Sequence, residues 1–229
     1  QEGGLNFAET ARLTLVACGT DYLACLSAKH WFEEIARLPV DVDVASEFRY
    51  REPPIPAKTA ALFVSQSGET ADTLAALRFC QGKVSHIMSV VNVPESSIAR
   101  ESDLVLPIYA CVEVGAASTK AYTCQLAVLL MMALKAAKDR GTIDDGTLKD
   151  HIAALRGVPG VISQALGSSE ETQRTAQKIS EARDVLFLGR GQMYPLAMEG
   201  ALKLKEISYI HAEGYASGEL QHGPTALVD

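Results

Sequence analysis

Four short apolar runs and one alternating run, each closed by a turn and followed by a helical or loop segment, constrain this chain more than any other feature. They are LTLVA at 13–17, TAALFV at 59–64, HIMSVVN at 86–92 and DLVLPIY at 103–109, with VDVDVA at 40–45 alternating but also read as a strand. Continuous apolar strands alternating with helices belong to a parallel sheet covered on both faces, because such strands have no solvent side to mark with polar residues. Helical patterns follow at about 22–37, from Thr70 to about Cys80, and over a short stretch near Ser97–Glu101. The sequence therefore predicts an α/β fold with three layers.

After Ser118 the periodicity becomes helical. Residues 119–138 repeat apolar positions at three and four, and Gly141 suits the stop. Two more helices, about 147–167 and 169–182, follow with no strand between them. Val185–Leu188 is again apolar and ends in Gly189-Arg190-Gly191, and a helix from Pro195 to about Ile207 comes next. This second strand-glycine-helix unit repeats the first, at 15–37. The chain is thereby divided into 1–140, a helical connection at 141–182, and 183–229. The last part supplies about one and a half strands, with another expected to start at Ala226-Leu227-Val228, and a doubly wound sheet needs several. The expectation is a chain truncated inside its second unit.

Of the 229 residues, 21 are Lys or Arg and 28 are Asp or Glu, a net charge of −7 that excludes a broad electrostatic footprint for nucleic acid. An anionic ligand must then be held locally. Ser65-Gln66-Ser67-Gly68-Glu69-Thr70 offers such a place between a strand and a helix, where unpaired N–H groups and the helix dipole hold a phosphate without Lys or Arg. The plainer alternative is that Ser67 or Thr70 caps the helix and nothing binds. Cys18-Gly19-Thr20 occupies the equivalent strand end one unit earlier. There Gly19 allows a tight turn, and Thr20 either caps the helix or donates to a ligand. Gly115-Ala116-Ala117-Ser118-Thr119-Lys120 is a third such loop, with Ser118 as a simple N-cap its alternative. Glu199, Lys203 and Glu206 share one helical stripe, either a surface ladder of charge pairs or a carboxylate base beside an ammonium. His222 stands in a Gly-Pro turn. The five cysteines include no C-x-x-C pair and read as reduced thiols of a cytoplasmic protein. No signal peptide is visible, and the longest apolar run, 127–134, is too short to span a bilayer.

Several of these segments resemble a known family. CGTxY at 18–22, ASEFRYR at 45–51, SQSGETADTL at 65–74, NVPxSSIARESD at 92–103, ASTKAYTxQL at 117–126, FLGRG at 187–191, ALKLKEISYIHAEGY at 201–215 and GELQHGP at 218–224 are similar to the isomerase half of the glutamine–fructose-6-phosphate aminotransferases. That half consists of two tandem sugar isomerase (SIS) domains with flavodoxin-like sheets. The resemblance implies a sugar-phosphate isomerase fold for 1–140 and an incomplete second copy at 183–229. It also implies that the full enzyme makes glucosamine 6-phosphate from fructose 6-phosphate and glutamine.

By the same resemblance Ser65, Gln66, Ser67 and Thr70 hold the sugar phosphate, and Cys18, Gly19, Thr20, Ala116, Ala117 and Ser118 contact the sugar. Glu206 moves a proton between C1 and C2 with Lys203 close by. His222 opens the ring, in the site of a neighbouring subunit, which implies a homodimer. No cofactor, metal, nucleic acid or membrane is implied. The ammonia-releasing glutaminase domain and a tail lysine fall outside these residues, so the chain alone is expected to bind sugar phosphate with little activity. One departure is Asp21, where the family often carries a small hydroxyl residue. A non-catalytic sugar-phosphate sensor, or a deglycase or isomerase of the same fold, is the alternative function.

Overall fold

The computed structural model describes residues 6–115 and 117–228. The chain folds as two compact units, Gln1–Ile143 and Asp144–Asp229.

The first unit contains β1 (Arg12–Ala17), α1 (Gly19–Glu34), β2 (Val40–Val44), α2 (Ala45–Arg51), β3 (Thr59–Ser65), α3 (Ala71–Cys80), β4 (Ile87–Val91), α4 (Ser97–Arg100), β5 (Leu104–Pro107) and α5 (Lys120–Asp139). The five strands are parallel in the order β2-β1-β3-β4-β5, with Val16 opposite Phe63 and Val64 opposite Val90. This is the flavodoxin-like α/β arrangement expected from the apolar runs and the resemblance. All seven residues of central β3 are buried, as a strand covered on both faces must be. Val16, Ala61 and Phe63 pack with Phe48 of α2, Leu77 of α3 and Ile98 of α4. The alternate positions Leu13, Leu15 and Leu62 are also fully buried, and α1 packs against α5. Each such side chain contributes about 1.5–3 kcal/mol on burial.

The boundaries differ from expectation in instructive ways. Helix α1 begins at Gly19 rather than at residue 22, which brings Asp21 into its first turn, where a carboxylate suits the dipole. Strand β5 is shorter than the 103–109 run and ends at Pro107, which lacks a ladder donor and is tolerated on this edge strand. Cys25 and Cys80 are buried, and burial holds the Cys80 thiol up at about 11 and pushes that of Cys25 well above its usual value. Cys111 is exposed.

The second unit contains α6 (Asp145–Leu166), α7 (Ser169–Ile179), β6 (Asp184–Gly189), α8 (Met193–Ser208) and β7 (His211–Ala216), followed by 3₁₀ turns at Ser217–Gln221 and Pro224–Leu227. Strands β6 and β7 are parallel neighbours joined through α8. Strand β7 is not anticipated by the sequence pattern. The strand expected to start at 226–228 is instead part of the second 3₁₀ turn, whose bonds run from Ala226 N to Gly223 O and from Val228 N to Thr225 O. Pro224 favours that turn by fixing φ at its first position. Asp144 caps α6 by accepting the Thr147 N–H at 2.7 Å. No helix among the described residues is long and apolar enough to cross a membrane.

Candidate functional site in the first unit

The chain leaves β1 for β2 on one side of the sheet and later returns to place β3 on the other. The carboxyl ends of β1 and β3 therefore flank the point where the strand order reverses, where open parallel sheets form their binding crevice. Cys18–Thr20 follows β1 and Ser65–Thr70 follows β3, so the topology brings these two sequence candidates to one edge.

The 65–70 loop is a compact turn whose own hydroxyls organise it. Ser65 Oγ and Thr70 Oγ1 share a hydrogen bond at 3.0 Å, and Ser65 Oγ also accepts the Gly68 N–H at 3.1 Å. Ser67 Oγ accepts the Glu69 N–H at 3.1 Å. Thr70 is the N-cap residue of α3, but its side chain makes no cap bond. The first N–H groups of α3 consequently receive no hydrogen bond from the N-cap side chain. Thr70 therefore does not act as a simple N-cap. The side chains of the N-cap residues of α1 and α5, Cys18 and Thr119, also make no cap bond.

Neighbouring segments fasten the loop. Gln66 O accepts the Asn92 N–H at 3.0 Å, and Gly68 O accepts that of Ile98 at 3.0 Å. Glu69 Oε1 accepts the Ser97 N–H at 2.7 Å, which lowers the Glu69 carboxyl from its ordinary range. Asp21 reaches across from α1. Its Oδ2 accepts the Gln66 N–H at 3.3 Å, while its Oδ1 accepts from Gln125 Nε2 of α5 at 2.6 Å. Gln125 is fully buried. Asn92 extends the bracing, accepting the Ala110 N–H at 2.8 Å and donating to Cys111 O at 2.7 Å. Gln66, Asn92, Cys111 and Glu113 help line an open cleft of about 480 Å³ here.

Ala117 and Ser118 lie in the segment from β5 to α5, and Ala116 falls outside the described residues. Lys120 Nζ donates to Val112 O at 2.6 Å, and the Ala121 N–H donates to Glu113 Oε2 at 3.2 Å, so the segment is tied to the start of α5. Ser118 Oγ is buried with no hydrogen-bond partner among the described residues.

In the second unit, Glu199, Lys203 and Glu206 meet on α8. Lys203 Nζ lies 2.6 Å from Glu206 Oε2 and 3.6 Å from Glu199 Oε1. The side chains of Glu199 and Lys203 are only 6% and 16% exposed, so this is not a solvated ladder, whereas Glu206 keeps an accessible carboxylate at 37%. His222 is exposed and follows the turn Ser217–Gln221, its N–H bonded to Glu219 O at 2.9 Å.

A switch-point crevice with hydroxyl-rich loops is shared by many α/β proteins, and comparison with known proteins decides among them. The SIS domain model matches residues 6–135 and 178–229. The chain belongs to the SIS domain family. This SIS chain is 59% identical over 224 residues to glutamine–fructose-6-phosphate aminotransferase (isomerizing) of Mesorhizobium japonicum, a match that covers 98% of the chain and 37% of that protein. It is 56% identical over 226 residues to the corresponding Brucella abortus protein, covering 99% of the chain and again 37% of the relative. A solved structure of the C-terminal domain of glucosamine–fructose-6-phosphate aminotransferase from Francisella tularensis superposes with a TM-score of 0.95. Its sequence is 45% identical, and the match covers 97% of this chain and 63% of that one. The SIS chain thus spans 37% of the length of these curated relatives.

In the sequence Asp21 stands out only as a departure from the family pattern, and nothing there singles out Gln125 or Asn92. The available signal for Gln125 is a neutral polar residue inside the apolar run of α5.

Proposed function

We propose that the chain is the sugar-phosphate isomerase part of a glutamine–fructose-6-phosphate aminotransferase and that its first unit holds the phosphate of fructose 6-phosphate at Ser65–Thr70. The observation that carries this reading is the start of α3. The one side chain placed to cap it, Thr70, is held by Ser65 instead, at the switch point of the sheet. Ser65, Gln66, Ser67 and Thr70 take the phosphate, while Cys18–Thr20 and Ala116–Ser118 take the sugar. The similarity to the named relatives supports the choice of substrate.

In the proposed reaction of the full-length protein, ammonia replaces the carbonyl oxygen at C2 of fructose 6-phosphate and water leaves. A proton then moves from C1 to C2, giving glucosamine 6-phosphate. The accessible carboxylate of Glu206 is the base for that proton, with the Lys203 ammonium fixing its position. His222, in its Gly-Pro turn, assists ring opening in a second copy of the chain. A homodimer, a glutaminase domain as the ammonia source and a cytoplasmic setting belong to the same proposal. The 229 residues alone are expected to bind with little or no turnover.

Titration calorimetry tests the binding step. Fructose 6-phosphate should give a saturable heat that Ser67→Ala weakens about tenfold, the loss of one hydrogen bond to a charged group. A folded protein that gives no heat with fructose or glucose 6-phosphate would refute the reading.

A further inference from the structure

The proposed phosphate loop contains its own anion. Asp21, from the first turn of α1, gives one carboxylate oxygen to the Gln66 N–H at 3.3 Å and the other to Gln125 Nε2 at 2.6 Å. Its position is built rather than incidental. Gln125 is fully buried on α5, 104 residues away in sequence, and Gln66 belongs to the loop itself. The charge reaches its surroundings, since Asp21 adds to burial in pushing up the thiol of Cys25 one turn along α1.

The six residues of the loop include Glu69 and neither Lys nor Arg. Asp72 adds a carboxylate to the first turn of α3. A phosphate that used the Gln66 N–H would have to displace the Asp21 carboxylate from it. One that did not would still lie close to that charge, and like charges a few ångströms apart cost affinity at the dielectric of a partly buried site.

We propose that Asp21 determines the specificity of this site, acting as an internal carboxylate that braces the 65–70 loop while weakening its hold on a phosphate dianion. The proposal rests on the reading of Ser65–Thr70 as a phosphate site. A neutral residue of the same shape then makes the site a tighter phosphate binder. Bracing alone predicts the opposite, because removing the acceptor of Gln66 N–H and Gln125 Nε2 loosens the loop.

The experiment is calorimetry on the intact chain with fructose 6-phosphate, inorganic phosphate and unphosphorylated fructose, comparing wild type with Asp21→Asn, Asp21→Ser and Asp21→Glu. Asp21→Asn is expected to bind fructose 6-phosphate about tenfold more tightly, with a parallel gain for inorganic phosphate and none for fructose. The gain should shrink as salt is raised to about 0.5 M, which a purely structural effect would not do. Asp21→Glu keeps the charge and should show no gain. Asp21→Ser covers the case in which the asparagine variant melts early, and it should also gain. Equal or weaker phosphate binding by folded Asp21→Asn and Asp21→Ser, with wild type binding normally, would overturn the role of Asp21 and leave the phosphate site standing. Absence of phosphate binding in wild type and every variant would overturn both.

Discussion

Gly68 shows how little freedom the candidate loop has. Its φ of +67° lies in the left-handed region, and an added Cβ would stand 1.9 Å from Ser96 Oγ and 2.4 Å from Ser96 Cβ. Rotation of the hydroxyl would relieve the contact with the oxygen but not that with Cβ, and Ser96 is buried at the N-cap of α4. Gly68→Ala should therefore cost about 2–4 kcal/mol, combining the backbone penalty with forced repacking. Urea unfolding followed by the fluorescence of Trp31, the single tryptophan, measures this, and an unchanged midpoint would show that the loop relaxes freely. Adding Ser96→Gly should recover the steric part and leave the backbone part. At this scale the loop is legible in sequence because its chemistry is local: a buried strand, then serine, glycine and threonine, then a helix. Asp21 is visible there only as an odd residue, since its meaning depends on Gln125, and no short window of sequence contains both.

The elements of the first unit are held together at their far end by Arg140, the residue after α5. Its guanidinium donates to Ala36 O at 2.9 Å, Thr10 O at 2.9 Å, Arg37 O at 3.2 Å and Phe7 O at 3.3 Å. One planar fork thus closes the segment after α1 and the stretch before β1 against the end of α5. Arg140→Ala leaves four carbonyls to find water, with an expected loss of about 2 kcal/mol in urea unfolding. Arg140→Lys should restore only part of it, because an ammonium cannot span the four positions. Full stability in the lysine variant would show that charge alone, rather than the fork, matters there. The same scale explains why β7 is hidden in the sequence. HAEGYA is too polar to look like a buried strand, and its Gly214 serves packing rather than pattern. A Cβ there would lie 2.6 Å from Met198 Cα, so the glycine allows α8 to press on the strand. By contrast, β1, β3 and β4 are legible because central parallel strands are apolar along most of their length.

For the molecule as a whole, the two units differ in what they bury. The first has a five-stranded sheet with Leu13, Leu15, Phe32, Leu62, Phe63 and Leu129 fully removed from solvent. Such a core, covered on both faces, is the ordinary basis of independent folding. In the second unit α6 and α7 bury no residue, while Val161 and Leu166 on α6 are 65% and 74% exposed. Apart from Pro195, the apolar side chains it buries among the described residues are alanines, Ala197, Ala201 and Ala212, and its sheet has two strands. A two-stranded sheet is marginal in water without more apolar cover. Residues 1–143 expressed alone should therefore keep a cooperative urea transition by Trp31 fluorescence. They should also bind fructose 6-phosphate as the whole chain does, since every contact around Ser65–Thr70 named above lies within them. Residues 144–229 alone should show helical circular dichroism that fades gradually with urea, without a transition. A cooperative transition in 144–229, or a noncooperative 1–143, would mean that stability is distributed in a way the buried side chains do not indicate. Phosphate binding lost from a folded 1–143 would place part of the site in the second unit.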